Sequence, residues 1–270
     1  MEYLELILKD VPLDLAEILV YRLTETGFDS FAEEENEFRA YIPKDLFNKK
    51  AVTEILKQSG HEYLIRDLPD QNWNKEWEKN FSPVMIADSC FIRAPFHEPV
   101  PSAKYEIIIE PKMSFGTAHH ETTAMMIETM LGMDFRNKNI LDMGCGTGIL
   151  AILAQKMGAS FVVAIDNDTW AYNNTIENCD QNNAPEISVK QGDVQDITGE
   201  FDVILANINR NILLVQIQTY ANCLIHPGEL VMSGFYESDL PMISREATKY
   251  GLIYTGHRSK NNWVAATYTK

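Results

Sequence analysis

The sequence has only four cysteines, Cys90, Cys145, Cys179 and Cys223, and no two form a C-x-x-C pair. Neither metal-ligand spacing nor a disulfide framework is present, and a reducing cytoplasm is the simplest setting. Long apolar runs are also missing. A membrane helix needs roughly 18 such residues in a row, and the richest stretch, 148–165, is interrupted by Gln155 and Lys156. The first residues open directly on an amphipathic segment carrying Glu2 and Glu5, unlike a secretory signal. Positive charge is scarce: 23 Lys and Arg stand against 39 Asp and Glu, a formal net charge of −16. The basic residues are scattered, so nothing offsets the repulsion of a phosphate backbone. The balance points away from direct nucleic-acid readout and toward a small molecule or a basic protein. No internal repeat and no low-complexity tract appears.

What is present suffices for a packed core. The apolar share of 45% is ordinary for a globular protein, and a length of 270 residues makes two domains the default. Residues 1–69 read as an α+β unit. Tyr3 to Leu8 alternates like a strand, and residues 13–26 have helical apolar spacing with Gly27 as the stop. Residues 28–34 and 37–42 form a hairpin turning near Glu35-Asn36. Residues 45–59 make a second helix ended by Gly60, and Tyr63-Leu64-Ile65 is a last strand. The order βαββαβ predicts a ferredoxin-like domain. Residues 70–100 read as a linker with Trp73, Trp77, Phe81 and Pro83 at near-helical spacing, followed by a strand-like Cys90-Phe91-Ile92. Two roles suit the tryptophans, docking the linker onto a domain or touching substrate, and docking is the simpler.

From residue 101 to 270 the pattern is α/β. Strands are expected at 107–109, 140–141, 161–165, 187–189, 203–206 and 230–232, with helices between, including one over 119–131. That alternation predicts a parallel sheet wound on both faces. The end differs, because 252–256 and 263–268 are two strands joined by a polar turn.

The strand Ile140-Leu141 runs into Asp142-Met143-Gly144-Cys145-Gly146-Thr147-Gly148 and then into the apolar helix beginning Ile149-Leu150-Ala151. Three glycines at alternate positions let backbone pass close to a ligand. A dinucleotide fold wants G-x-G-x-x-G, and here the third glycine comes one residue early, with an acid directly ahead of the loop. This D-x-G-x-G-x-G pattern resembles motif I of the class I S-adenosylmethionine-dependent methyltransferases, in which a terminal antiparallel hairpin on a seven-stranded, Rossmann-like parallel sheet is typical.

Ligands of a doubly wound sheet bind at the carboxyl ends of its strands. Gly144, Gly146 and Gly148 fall there. So does Asp166, about twenty residues further on by the spacing usual for such folds, where an acid accepts both ribose hydroxyls. The competing role for an acid here is a helix N-cap, which Asp168 serves better. Asp193, after the next strand, stands where it can reach an adenine amine. Asn207 ends the strand Leu205-Ala206. Its amide and a nearby carbonyl can orient an amine lone pair, or it can cap the next helix. The [D/N]-P-P-Y signature of adenine and glutamine N-methyltransferases is absent.

Ser114-Phe115-Gly116-Thr117-Ala118-His119-His120-Glu121-Thr122-Thr123 resembles the F-G-T-G-T-H-x-T-T segment of the family that methylates large-subunit ribosomal protein eleven. The likeness extends through Trp73-x-x-x-Trp77, Phe81, Pro83, the Asp142 loop, Asp166 and Ala206-Asn207-Ile208, and so over most of the chain. It implies an enzyme that methylates lysine side chains and an N-terminal α-amine of that ribosomal protein. It implies S-adenosylmethionine as cofactor and residues 1–69 as the substrate-recognition domain. Carried over, Thr123, Gly144, Asp166 and Asn207 contact the cofactor, with Thr123 near the methionine carboxylate at a helix start, where the dipole favours an anion. Ala118 and His119 depart from the family's Gly and Thr. His119 and His120 are candidate bases, with a local structural role as the alternative. Three rival readings stay open: another protein or small amine as substrate, a nicotinamide-dependent oxidoreductase, and a non-catalytic binding module.

Overall fold

The structure is a computed structural model. It describes residues 3–9, 11–24, 26–28, 30–34, 37–59, 61, 63–68, 82–110 and 118–270. The chain divides into two compact units, Met1–Asn80 and Phe81–Lys270.

The first unit runs β1 (Tyr3–Lys9), α1 (Leu13–Thr24), β2 (Ser30–Glu34), β3 (Glu37–Pro43), α2 (Lys49–Ser59) and β4 (Tyr63–Leu68). Its sheet has the order β2-β3-β1-β4 and is antiparallel throughout, the arrangement of a split βαβ unit. Alternation along β1 sends Leu4, Leu6 and Leu8 into a core with Leu19 and Leu23 of α1 and Val52 and Leu56 of α2. Glu5, on the opposite parity, is buried too. An unpaired carboxylate there would cost several kcal/mol. Arg39 at 3.5 Å, Arg66, and the Tyr41 hydroxyl at 3.2 Å compensate it from the two flanking strands. Helix α2 starts later than its apolar spacing suggests, because the Asn48 side chain accepts from the N–H groups of Lys50 and Ala51 and so sets the cap. The turn at 35–36, the stop at Gly60, and Trp73, Trp77 and Phe81 lie outside the described residues.

The second unit opens with β5 (Val84–Ile86), β6 (Cys90–Arg93) and β7 (Tyr105–Ile108). They form a separate three-stranded sheet, β5 antiparallel and β7 parallel to β6. Residues 84–93 were expected in the linker and 107–109 in the main sheet. They pair with each other instead, because Ile86, Cys90, Ile92 and Ile107 share one apolar cluster beneath the following helix.

Then come α3 (Glu121–Met130), β8 (Asn139–Met143), α4 (Ile149–Lys156), β9 (Phe161–Asp166), α5 (Thr169–Gln181), β10 (Ser188–Gln191), β11 (Phe201–Asn207), α6 (Arg210–Cys223), β12 (Leu224–Tyr236), α7 (Leu240–Lys249), β13 (Ile253–Lys260) and β14 (Trp263–Thr269). The seven strands take the order β10-β9-β8-β11-β12-β14-β13. Strands β8 to β12 are parallel, while β14 pairs antiparallel with β12 and with β13. Successive side chains face opposite layers. Ile140, Ala164 and Leu205 meet α3 and α4, whereas Leu141, Ile165 and Ala206 meet α6 and α7. The chain leaves β8 for β9 on one side and returns for β11 on the other. That makes the carboxyl ends of β8 and β11 the switch point where ligands bind.

Candidate active site

Gly144 and Cys145 both donate backbone N–H groups to the Ile165 carbonyl, at 2.8 and 3.1 Å, tying the loop after β8 to the end of β9. Gly144 has φ +70, and a Cβ there would lie 2.2 Å from Ile208 Cγ2. Across from it, Gly234 has φ +92 at a bulge in β12, and a Cβ there would lie 2.2 Å from the Ile208 carbonyl oxygen. Ile208 thus sits against two positions where only glycine fits, and this fixes Asn207 next to it. Gly234 escaped the sequence reading. Its signal was a lone glycine inside an apolar strand pattern, which marks a bulge or close backbone approach.

Asp166 ends β9. Its carboxylate accepts from Gly146 N–H at 2.9 Å and from Asp168 N–H at 3.0 Å, and lone pairs remain on both oxygens. Asp168 takes the capping role for α5, accepting from Trp170 and Ala171. Gly192 N–H donates to the Asp166 carbonyl at 2.9 Å, so Asp193 stands one strand over from Asp166. Asp193 starts a short 3-10 turn, Val194–Asp196, in a reciprocal capping box with Asp196.

Asn207 Nδ2 donates to Thr123 Oγ1 at 3.2 Å, joining two site candidates 84 residues apart in the chain. The capping role open to Asn207 belongs to Asn209, which accepts from Asn211 and Ile212. Thr123 lies in the first turn of α3, whose N-cap is His120; its Nδ1 accepts from Thr122 N–H. His119 Nε2 meets the Ser82 carbonyl at 2.9 Å. Both histidines therefore hold local structure. Residues 114–117 lie outside the described residues. Ala118, where the family has glycine, is buried at φ +66, a left-handed conformation that costs a residue with a Cβ about 1 kcal/mol.

Asp142 is fully buried, and its Oδ2 accepts from Ala151 N–H at 3.0 Å in the first turn of α4. Burial pushes its pKa up to about 7, against the lowering effect of that hydrogen bond and with a smaller push from the Asp166 charge. The folded value lies above the unfolded one, about 3.9. The folded state therefore holds the proton more tightly, and stability falls as pH rises from about 4 toward 7, by on the order of 4 kcal/mol in all. Thermal melts of Asp142→Asn between about pH 5 and pH 8 should lose less of their midpoint than the parent does. Equal losses would dissociate Asp142 from the pH response. Burial also raises the Cys145 thiol pKa and pushes those of Cys90 and Cys179 up to about 12. All four cysteines are free, and among the described residues no cluster suits a metal.

Sequence reasoning also missed a polar ladder on α5. Asn178 donates to the Thr147 carbonyl at 2.9 Å and accepts from Glu110 N–H at 2.8 Å. One turn on, Asn182 accepts from Ile108 N–H and donates to its carbonyl. Asn178 thus ties the glycine loop to the segment following β7. It is fully buried, so Asn178→Leu would take away the partner of the buried Thr147 carbonyl and of the half-buried Glu110 N–H. A loss of about 2–4 kcal/mol in urea-measured stability is expected. A loss below about 0.5 kcal/mol would mean the ladder carries no load.

The seven-stranded order with its glycine loop, strand-end acids and antiparallel closing strands defines a class I methyltransferase. The same fold is found in a crystal structure of ribosomal protein L11 methylase from Lactobacillus delbrueckii subsp. bulgaricus (TM-score 0.66, 25% identity, covering 70% of this chain and 99% of that one). A methyltransferase from Pyrococcus furiosus shares the fold as well, at TM-score 0.51 and 17% identity over 61% of this chain and 89% of that one. The family profile described as ribosomal protein L11 methyltransferase (PrmA) matches residues 19–270. The ribosomal protein L11 methyltransferase of Bacteroides fragilis is 46% identical over 261 residues, covering 93% of each chain. That of Bacteroides thetaiotaomicron is 47% identical over 262 residues, covering 94% of this chain and 93% of its own. The chain belongs to the ribosomal protein L11 methyltransferase family.

Proposed function

We propose that the chain transfers methyl groups from S-adenosylmethionine to amines of ribosomal protein L11, lysine side chains and the N-terminal α-amine. The observation that carries this reading is the meeting of the glycine loop, Asp166, Thr123 and Asn207 at the carboxyl ends of β8, β9 and β11. The names of the relatives at 46–47% identity support the substrate. A net charge of −16 suits a basic protein partner, with residues 1–69 as the recognition domain. Four free thiols agree with a cytoplasmic setting. Among the described residues no helix is long and apolar enough to cross a membrane.

The donor set fits the cofactor. Asp166 has lone pairs for the ribose hydroxyls, the turn through Gly144 and Gly146 brings the loop to the Asp166 carboxylate without intervening side chains, Asp193 offers an acceptor for the adenine amine, and the first turn of α3 around Thr123 suits the methionine carboxylate. When bound, the sulfonium supplies an electrophilic methyl carbon. The chain's own task is to align an amine, which is mostly proximity. Asn207 does this: its Nδ2 is held by Thr123, leaving Oδ1 to accept from the incoming N–H and orient the lone pair. The amine must be neutral. Deprotonating a free lysine, pKa about 10.4, at pH 7 costs about 4.6 kcal/mol, and desolvation in the site lowers that cost.

The test is incubation with methyl-labelled S-adenosylmethionine and a total ribosomal protein fraction, followed by mass-spectrometric location of the label. Label on amines of protein L11 is expected. Label on RNA, or on no ribosomal protein, would overturn the substrate assignment.

A further inference from the structure

Asp193 is held by more than its own turn. Its Oδ1 accepts from Val194 N–H at 2.7 Å and from Gln216 Nε2 at 2.8 Å. Its backbone N–H donates to Asp196 Oδ2 at 2.8 Å. The Asp193 side chain also takes part in the reciprocal box with the Asp196 N–H, and a carboxylate has about four lone-pair sites, so acceptor capacity remains for a ligand. Gln216 lies on α6, is 4% exposed, and receives the Tyr220 hydroxyl on its Oε1. Tyr220 is fully buried one helical turn further on.

Each atom in this relay has a single workable role. A carboxylate only accepts, so the Gln216 amide must present its NH₂ to Asp193 and its oxygen to Tyr220. The phenol must then donate. Burial, and after it the Asp193 charge, raises the Tyr220 pKa, so it stays protonated. A carboxyl group otherwise swings in a broad torsional well. Here Oδ1 is held by donors from two different elements, Val194 N–H and Gln216 Nε2, which settles the orientation of the whole carboxylate. A leucine would fill the space of Gln216 without burying an amide. The amide makes sense as a clamp on the one acid at the carboxyl end of β10.

We propose that Gln216, backed by Tyr220, is a positioning residue that aims the remaining lone pairs of the Asp193 carboxylate at the exocyclic amine of the cofactor's adenine, making the site selective for a 6-amino over a 6-oxo purine. The proposal rests on the cofactor reading given above. A 6-oxo purine turns a carbonyl oxygen toward the same lone pairs, so a fixed carboxylate rejects it and a loose one swings away.

Calorimetric titration with S-adenosylhomocysteine and S-inosylhomocysteine tests it. The parent chain should prefer the adenine compound by about tenfold or more, the worth of one charge-assisted hydrogen bond. In Gln216→Leu that ratio should fall at least about threefold, through weaker binding of the adenine compound and weaker rejection of the inosine compound. Tyr220→Phe, a gentler change, should move the ratio the same way by less. Both ligands are measured on one sample, so loss of folded protein cancels from the ratio. An unchanged ratio in both variants would overturn the positioning role while leaving the cofactor reading intact. A parent that binds both compounds equally would do the same. If neither compound binds the parent, the cofactor reading itself fails.

Discussion

Asp166→Ala should weaken binding of S-adenosylhomocysteine by about 10²–10⁴-fold, from two lost charge-assisted hydrogen bonds of about 1.5–3 kcal/mol each. The carboxylate has two jobs in the geometry. It anchors Gly146 N–H at 2.9 Å, and so the loop, and in the proposed reading its remaining lone pairs receive the ribose. Alanine removes both. Asp166→Asn keeps one acceptor and should fall between the two. The backbone bonds from Gly144 and Cys145 to the Ile165 carbonyl do not involve the side chain, so the fold should survive with little change in melting temperature. Calorimetry decides the matter, and a change in Kd below about threefold would mean that Asp166 does not hold the nucleoside.

Asn207→Ala should leave that same Kd within about fivefold but lower single-turnover methylation by on the order of 10²-fold, the scale set by losing an alignment contact. The split follows from how the residue is held. Its backbone is fixed by Ile208 against Gly144 and Gly234, so the variant should keep the course of β11. What is lost is an amide that Thr123 orients from α3. Equal losses in binding and turnover would make Asn207 a cofactor ligand and nothing more. Unchanged methylation would remove it from the site.

Much of this was legible in the sequence because period and punctuation agree. Ile140-Leu141 before three alternate glycines, and an acid at the next strand end, place a loop and a carboxylate without any tertiary information. The capping competition between Asp166 and Asp168 was also readable, since a side chain one residue before a helix has the better reach. Other features depend on partners distant in sequence. Strand β12 spans Leu224–Tyr236, yet only 230–232 announced itself. Pro227 and Gly228 mask its start, and Gly234 masks its end. In the small sheet, the strand-like 90–92 and 107–109 were readable, but β5 was not, and nothing local announces that the three strands pair with one another. Asn178, Asn182 and Gln216 read as polar residues on helices. Only packing reveals that they clamp Thr147, Ile108 and Asp193.

The most direct test of the whole account is a crystal of the full chain grown with S-adenosylhomocysteine. The ribose hydroxyls are expected within hydrogen-bonding distance of the Asp166 carboxylate, with the nucleoside lying along Gly144–Gly146 and its sulfur facing Asn207. A nucleoside bound elsewhere, or a loop that stays packed shut against a saturating ligand, would contradict it.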